Sequence, residues 1–486
     1  MKQKSKTLEK LGLKTYLGTT GMAAADGITS ALMTSWFMVY LTDYAGIGEF
    51  AAILGSIVLV VARIFDAVND PLEGLIMNRA KVGRFGKYKP FILLSIFLTC
   101  VGVCSLFFIP ESVASNPVLV TIWVIVFYLM YDIGYSFFAP NLLLRTLTLD
   151  DGQRGKLMIG PRVLGIAMGM VSSSLISTAT NLNANIGNMH TAMGIAVLIF
   201  VGGFGVISLL GTSVLKEKYH PADNEEDNKV SIKDFFLVFK ENKAMQVHIT
   251  SSVFSGFIWT FLFATMLYYI KWGLCTDLAT GIVDQEKYGI MSLVASLLML
   301  FPLILGTAVA NPLMKLMKSA VRLRKVLLLM EAVSCGMMYV LHITGVLGAN
   351  PMLFLVCAGI TAFAIGVCYI PDAVIEIESM DYEIYQRGKD RSGVMFAFGK
   401  FLGKAQSALA TAAIGFLLAS IGYVVDSETD SFIGDLANIP TMIDGFVVIC
   451  GLIPCVLGLI AWFILRKYPI TDEIRADMKK KLAQKD

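Results

Sequence analysis

The chain has 486 residues, of which 56% are hydrophobic and 16% charged, with a mean hydropathy of +0.69. Soluble domains carry about 25% charged residues, so the composition excludes a large soluble enzyme, a collagen, a disordered chain and a small disulfide scaffold. Forty Lys and Arg against 37 Asp and Glu leave a formal net charge of +3, too little for a nucleic-acid binder, and what remains is an all-α protein that crosses a membrane many times.

A bilayer core of about 30 Å needs about 20 apolar residues per helix. Such runs fall at 17–41, 51–77, 91–109, 118–140, 157–180, 191–215, 247–270, 288–314, 325–346, 351–374, 393–421 and 442–465, which predicts twelve spans. No charged segment with a small-residue cleavage site precedes the first run, so it reads as a transmembrane helix rather than a removable signal.

Ionisable groups near a bilayer centre cost about 2.5–3.5 kcal/mol each, so each needs a purpose or a partner. Span one carries Asp26. Span two carries Arg63, Asp66 and Asp70 at i, i+3 and i+7, on one helical face. Two carboxylates one turn apart, with Asn69 offering a carbonyl oxygen, suit a hard monovalent cation, and a proton could substitute for the ion. The alternative is an internal salt bridge between Arg63 and one aspartate, which leaves the second aspartate unexplained. Pro71 is expected to interrupt the backbone ladder there. Span four brings Asp132 and span five Arg162. In the second half, Glu331 and Asp372 lie nearer to helix ends, within reach of the interface. Tyr369 offers a stacking face for a sugar ring, and Lys400 and Lys404 lie one turn apart in span eleven. Asp26, Asp132, Arg162 and Lys404 supply the acceptors and donors that a hydroxyl-rich solute needs. Pairing between them, for example Asp132 with Arg162, is the structural alternative.

The links alternate in charge. Lysines at 2, 4, 6, 10 and 14 precede span one, and Arg79, Lys81, Arg84, Lys87 and Lys89 fill the second link. Arg145, Arg154 and Lys156 follow span four, and Arg387, Lys389 and Arg391 follow span ten. The links 110–116, 181–190 and 347–350 have no basic residue. The positive-inside rule therefore puts both termini in the cytoplasm. The polar link 216–246 divides six spans from six. Gln153-Arg154-Gly155-Lys156 after span four recurs as Gln386-Arg387-Gly388-Lys389 after span ten. This predicts an N-terminal bundle over 1–215, a cytoplasmic loop over 216–246, a C-terminal bundle over 247–467 and a tail over 468–486, in the parallel six-plus-six duplication of a major-facilitator fold. The eight cysteines sit mostly in apolar runs without a CxxC pair and read as small hydrophobes. The four histidines are scattered and form no relay. No cofactor is expected.

Several motifs then occur in order along the chain. They are Tyr40-Leu41-Thr42-Asp43-Tyr44-Ala45-Gly46, the run from Ala62 to Pro71, Gly83-Arg84-Phe85-Gly86-Lys87-Tyr88-Lys89-Pro90 and Asp132-Ile133-Gly134-Tyr135. Pro161-Arg162, Met380-Asp381-Tyr382-Glu383 and Gly393 with Lys404 follow. In these the chain resembles the glycoside–pentoside–hexuronide:cation symporters, from about Leu13 to Trp462. The resemblance implies a cation site at Asp66, Asn69 and Asp70, for Na⁺ if not H⁺, with Li⁺ as a further candidate. It implies sugar contacts at Asp26, Asp132, Arg162, Tyr369 and Lys404. Asp26 aligns with a one-residue shift. Leu129 stands where the family has a hydroxyl-bearing cation ligand, Ser136 replaces a tryptophan near the sugar, and Gly134 replaces a proline.

The function expected is import of a carbohydrate by alternating access, driven by Na⁺ or H⁺, in the inner or plasma membrane, with a monomer as a sufficient unit. One charge moving down about 100 mV supplies about 2.3 kcal/mol. A proton-only transporter and a weakly coupled facilitator or exporter are the rivals on the same fold. A polytopic membrane enzyme is the remote one, because no nucleophile–base pair or phosphate loop is present.

Overall fold

The computed structural model of the chain describes residues 11–37, 40–47, 50–219, 232–278, 280–350, 352–421 and 436–485. The lysines up to Lys10 and the His220-Pro221 and acidic run of the central link lie outside these residues. Each of the twelve expected spans is met by helix. Span one is Leu13–Met22 and Ala24–Ser35, broken at Ala23, and span two is Phe50–Arg79. Spans three and four are Lys89–Leu106 and Pro117–Phe137. Span five is the pair Asp151–Ser173 and Leu175–Ile186, and span six is Met189–Ser213. Spans seven to ten are Lys243–Tyr269, Gln285–Met317, Ala320–Ile343 and Met352–Arg387. Span eleven is Ser392–Ser420, and span twelve runs from Ile439 to Leu465. Among the described residues, eight helical segments are long and apolar enough to cross a membrane, or nine if the pair bent by 41° in span five counts as one. Spans one, two and eleven fall outside that number.

The chain divides into two compact units. One comprises Met1–Glu241 with Met380–Phe401 and Asp472–Asp486, and the other Asn242–Ser379 with Leu402–Thr471. The boundary is therefore not the central link alone. The end of span ten and the beginning of span eleven belong with the first unit.

In the first unit the apolar core gathers Leu32, Tyr40, Phe107, Val124 and Val197, all fully buried. The Gly83–Pro90 motif builds a helix entrance. Gly83 and Gly86 exchange backbone hydrogen bonds of 3.2 and 3.1 Å, and Gly86 has φ +96°, which glycine adopts at little cost. The turn aims the first amides of span three at the Glu217 carboxylate, which accepts from the N–H groups of Lys87 (2.9 Å), Tyr88 (2.8 Å) and Lys89 (2.7 Å). Lys89 Nζ in return donates to the carbonyls of Ser213 (2.7 Å) and Leu215 (3.0 Å) at the end of span six. An anion at a helix N-terminus and a cation at a C-terminus both oppose the helix dipole favourably. Glu217→Ala is expected to destabilise the protein by about 2 kcal/mol, read as a fall in thermal midpoint. An unchanged midpoint would remove the cap from this account.

Helix continues through Pro71, as the expected run 51–77 requires; the proline leaves one rung of the ladder without an N–H, which is tolerated within a packed membrane helix. One expectation is corrected. Glu331 does not reach an interface. It is 1% exposed, held by Arg324 at 3.1 Å.

The second unit is cored by Leu262, Trp272, Phe354 and Phe446. Spans eight and ten cross backbone to backbone. A Cβ at Gly306 would fall on the Phe363 carbonyl, and one at Gly366 on that of Leu303, the small-residue contact typical of membrane helices. Beside this core, Arg324 donates to Asp372 (2.8 Å), Glu331 (3.1 Å) and Ser255 Oγ (2.7 Å). Arg324, near the start of span nine, is thus buried among carboxylates.

Candidate functional site

Span two presents Asp70, 1% exposed. Asn69 Nδ2 donates to Glu73 Oε1 one turn on, which commits the amide nitrogen of Asn69 rather than its carbonyl oxygen. The side chains of Arg63 and Asp66 lie outside the described residues, although the helix that carries them is described. Across from Asp70, Ser136 Oγ donates to Asp70 Oδ1 at 3.3 Å. Ser136 lies four residues after Asp132 in span four, so the two share a helical face. Asp132 is 8% exposed. The face of span four that carries Asp132 therefore meets the Asp70 turn of span two.

From span one, Asp26 lies within electrostatic range of Lys400 and Arg162 and of Tyr131 on span four. Its Oδ1 atom is buried with no hydrogen-bond partner among the described residues. Arg162 follows Pro161 inside the helix of span five, with an exposed side chain. The first unit thus brings together Asp26, Asn69, Asp70, Asp132 and Arg162, three carboxylates with one exposed guanidinium. Tyr369 and Lys404 belong to the second unit and are both half-buried. Among the described residues no group of three or more His, Cys, Asp or Glu side chains could hold a metal ion. Any monovalent ion would instead use carboxylate, amide and hydroxyl oxygens.

Two participants have roles that the sequence does not give. Ser136 was marked as standing where the family has a tryptophan near the sugar, but not as a partner of Asp70, for which the four-residue spacing from Asp132 was the available signal. Lys400 was visible as a charge but not by its role. Its Nζ donates to the main-chain carbonyls of Tyr135 (2.6 Å), Ser136 (3.3 Å) and Phe138 (2.9 Å).

At the end of the first unit that carries the basic links lies a second set. Arg145 donates to Asp381 (2.8 Å) and Asp390 (3.2 Å), and Arg154 donates to the other Asp381 oxygen (3.1 Å). Arg145 and Arg154 are 5% and 2% exposed. Arg391 binds Glu383, Asp234 (3.2 Å) and Glu241 (2.8 Å), and Tyr88 OH meets Ser392 Oγ at 3.0 Å. Burial works against the charge on Asp390, but Arg145, then Lys87 and the hydrogen bonds from Ser392 outweigh it and hold the carboxyl below its ordinary value. Arg145 and Arg154, read as markers of this side, are therefore interior partners of acids more than 200 residues away.

With this geometry in view, the family model for MFS/sugar transport proteins matches residues 19–472. The inner membrane symporter YicJ of Escherichia coli (strain K12) is 24% identical over 473 residues, covering 95% of this chain and 92% of that protein. The glucuronide carrier protein homolog of the same organism is 22% identical over 494 residues, covering 98% of each. Among solved structures, the major facilitator superfamily transporter FucP in the outward conformation aligns with TM-score 0.63 at 15% identity, covering 94% of this chain and 98% of that one. The proton:xylose symporter XylE aligns with TM-score 0.54 at 14% identity, covering 94% of each.

Proposed function

The chain belongs to the MFS/sugar transport protein family, the glycoside–pentoside–hexuronide:cation symporters of the major facilitator superfamily, and from that premise we propose that it imports a carbohydrate together with a monovalent cation, Na⁺ or H⁺, by alternating access. It is a multi-pass membrane transporter and not an enzyme. Both termini lie in the cytoplasm of a cell-membrane protein, and a monomer is the working unit.

The observation that carries this reading is Asp70, 1% exposed in a membrane span and joined by a hydroxyl from the span-four face that also carries Asp132. A buried carboxylate in a bilayer is expensive unless it has work to do. Here Asp70, Asn69 and Asp66 hold the cation, and Asp26, Asp132 and Arg162 of the first unit hold the sugar. Adjacent sites make the two affinities reciprocal, so the cation tightens sugar binding and the sugar tightens cation binding by the same factor. The loaded and empty forms then reorient by rocking of the two repeats. The Arg145–Asp381–Arg154 cluster serves as the cytoplasmic latch that must open for release.

The test is uptake of labelled α-galactoside, pentoside, xylo-oligosaccharide and glucuronide into proteoliposomes under imposed Na⁺, Li⁺ or proton gradients. One sugar is expected to accumulate under a cation gradient and only to equilibrate without one. Stimulation by Na⁺ or Li⁺ selects the metal ion, and a response to the proton gradient alone selects H⁺. No accumulation under any gradient overturns the proposal.

A further inference from the structure

Lys400 is an intramembrane cation that neither proposed site employs. It lies on span eleven, in the stretch that folds with the first unit. Its ammonium is held by three carbonyl oxygens at the end of span four, those of Tyr135, Ser136 and Phe138. The rings of Tyr135 (4.7 Å) and Phe396 (5.1 Å) flank it and add cation–π attraction.

The sequence explains why those carbonyls are on offer. A helix running on would bond the Ser136 carbonyl to the amide four residues later, but position 140 is proline and has no N–H. Span four stops at Phe137, and helix resumes at Pro140. The result is a helix C-terminus inside the protein, with outward carbonyls and the negative end of a dipole. This is an oxygen cradle for a monovalent cation, and the cation in it is the lysine's own.

Ser136 joins the cradle to the candidate ion site. Its main-chain oxygen accepts from Lys400 and its hydroxyl donates to Asp70 Oδ1. Asp26 is also within electrostatic range of Lys400. One residue therefore feels both the charge state of Asp70 and the position of span eleven.

We infer that Ser136 and Lys400 form the coupling element through which span eleven responds to cation occupancy at Asp70. The inference rests on the reading of Asp70 as a cation ligand. An arriving ion takes the Asp70 oxygen to which Ser136 donates, and the hydroxyl turns a lone pair, in place of its proton, towards the ion. The ion also brings a second positive charge close to the ammonium. Both changes act on the turn 135–138, and both favour an arrangement in which Lys400 leaves its cradle and frees the start of span eleven. Without the ion, the ammonium returns. Lys400 is thus a positioning residue rather than a ligand.

The experiment titrates NaCl, LiCl and, separately, pH against the purified full-length protein in nanodiscs. It reads half-saturation by tryptophan fluorescence and hydrogen–deuterium exchange of the segment 392–401. In the wild type, the effective cation is expected to change exchange in that segment. Lys400→Met is expected to lower the cation half-saturation about tenfold, within the usual range of site-to-site coupling, and to abolish the exchange response. Lys400→Arg restores part of both, which a merely structural role would not do. If Lys400→Met does not fold, Ser136→Ala carries the test, with the same loss of the exchange response expected. A segment that ignores the cation in the wild type, or responds fully in Lys400→Met or Ser136→Ala, overturns the inference. Asp70→Asn separates the two levels: if it still binds the cation, the reading of Asp70 fails. If it loses the cation while Lys400→Met behaves as wild type, only the coupling element fails.

Discussion

Asparagine at position 70 is expected to abolish cation-driven accumulation while leaving a folded protein that still exchanges sugar down its gradient. The substitution keeps the shape of the side chain and its capacity to accept from Ser136 Oγ, which now lies 3.3 Å from Asp70 Oδ1. It removes the negative charge. Truncating one partner of a buried charged contact costs 2–5 kcal/mol, so apparent cation affinity is expected to fall at least about a hundredfold, roughly 3 kcal/mol. Stability should hold or improve, because an ionised group leaves a low-dielectric site. Flux assays under an imposed gradient, paired with sugar counterflow, check this directly. Accumulation that stays at the wild-type level would remove Asp70 from the cation site.

The second large effect is expected at the buried ion network. Asp381 receives hydrogen bonds from both Arg145 and Arg154, which are 5% and 2% exposed. Removing one partner of a buried pair costs about 3–5 kcal/mol, because the remaining charge is left in a medium that solvates it poorly. Asp381→Asn is therefore expected to weaken the hold on the segment 380–401 by a factor of about 10² to 4 × 10³. Net uptake falls and the thermal midpoint drops. The double variant Arg145→Gln/Asp381→Asn should lose less than the two single variants combined, since the uncompensated charge goes with its partner. Strict additivity would show that the pair does not act as a unit. The same network sets a pH limit. Asp390 is held below its ordinary value by Arg145, Lys87 and Ser392 against the effect of burial. Its contribution is present above the unfolded value and is lost as pH falls through the folded one. The network therefore loosens only in acid below the usual carboxylate range.

The sequence made Asp70 conspicuous because a carboxylate stands out in an apolar run, and the i, i+3, i+7 spacing placed its neighbours on one face. The twelve spans were legible for the same reason, from long apolar runs separated by alternating links. Pairings between distant segments were not. Nothing local to Arg145 says that it meets Asp381, 236 residues on, and a basic link looks the same whether it is solvated or buried. Ser136 stood out only as a departure from the family's tryptophan, and its contact with Asp70 was hidden for another reason. A hydroxyl of that size disturbs neither hydropathy nor periodicity, and its chemistry appears only when span two lies across from it.

The discontinuous make-up of the first unit bears on how the protein comes to be made. Its first 241 residues are complete long before residues 380–401 leave the ribosome. Until then Asp381 and Asp390 do not exist for Arg145 to meet, and the carbonyl cradle at the end of span four has no lysine to fill it. Glu217 and Lys89, by contrast, are both available as soon as span six emerges, and can tie span three to span six at once. Biogenesis thus has two stages with different demands. An early bundle closes with its own caps, and the insertion machinery must then shelter its polar interior through the synthesis of four more spans, until the chain returns to finish what it began.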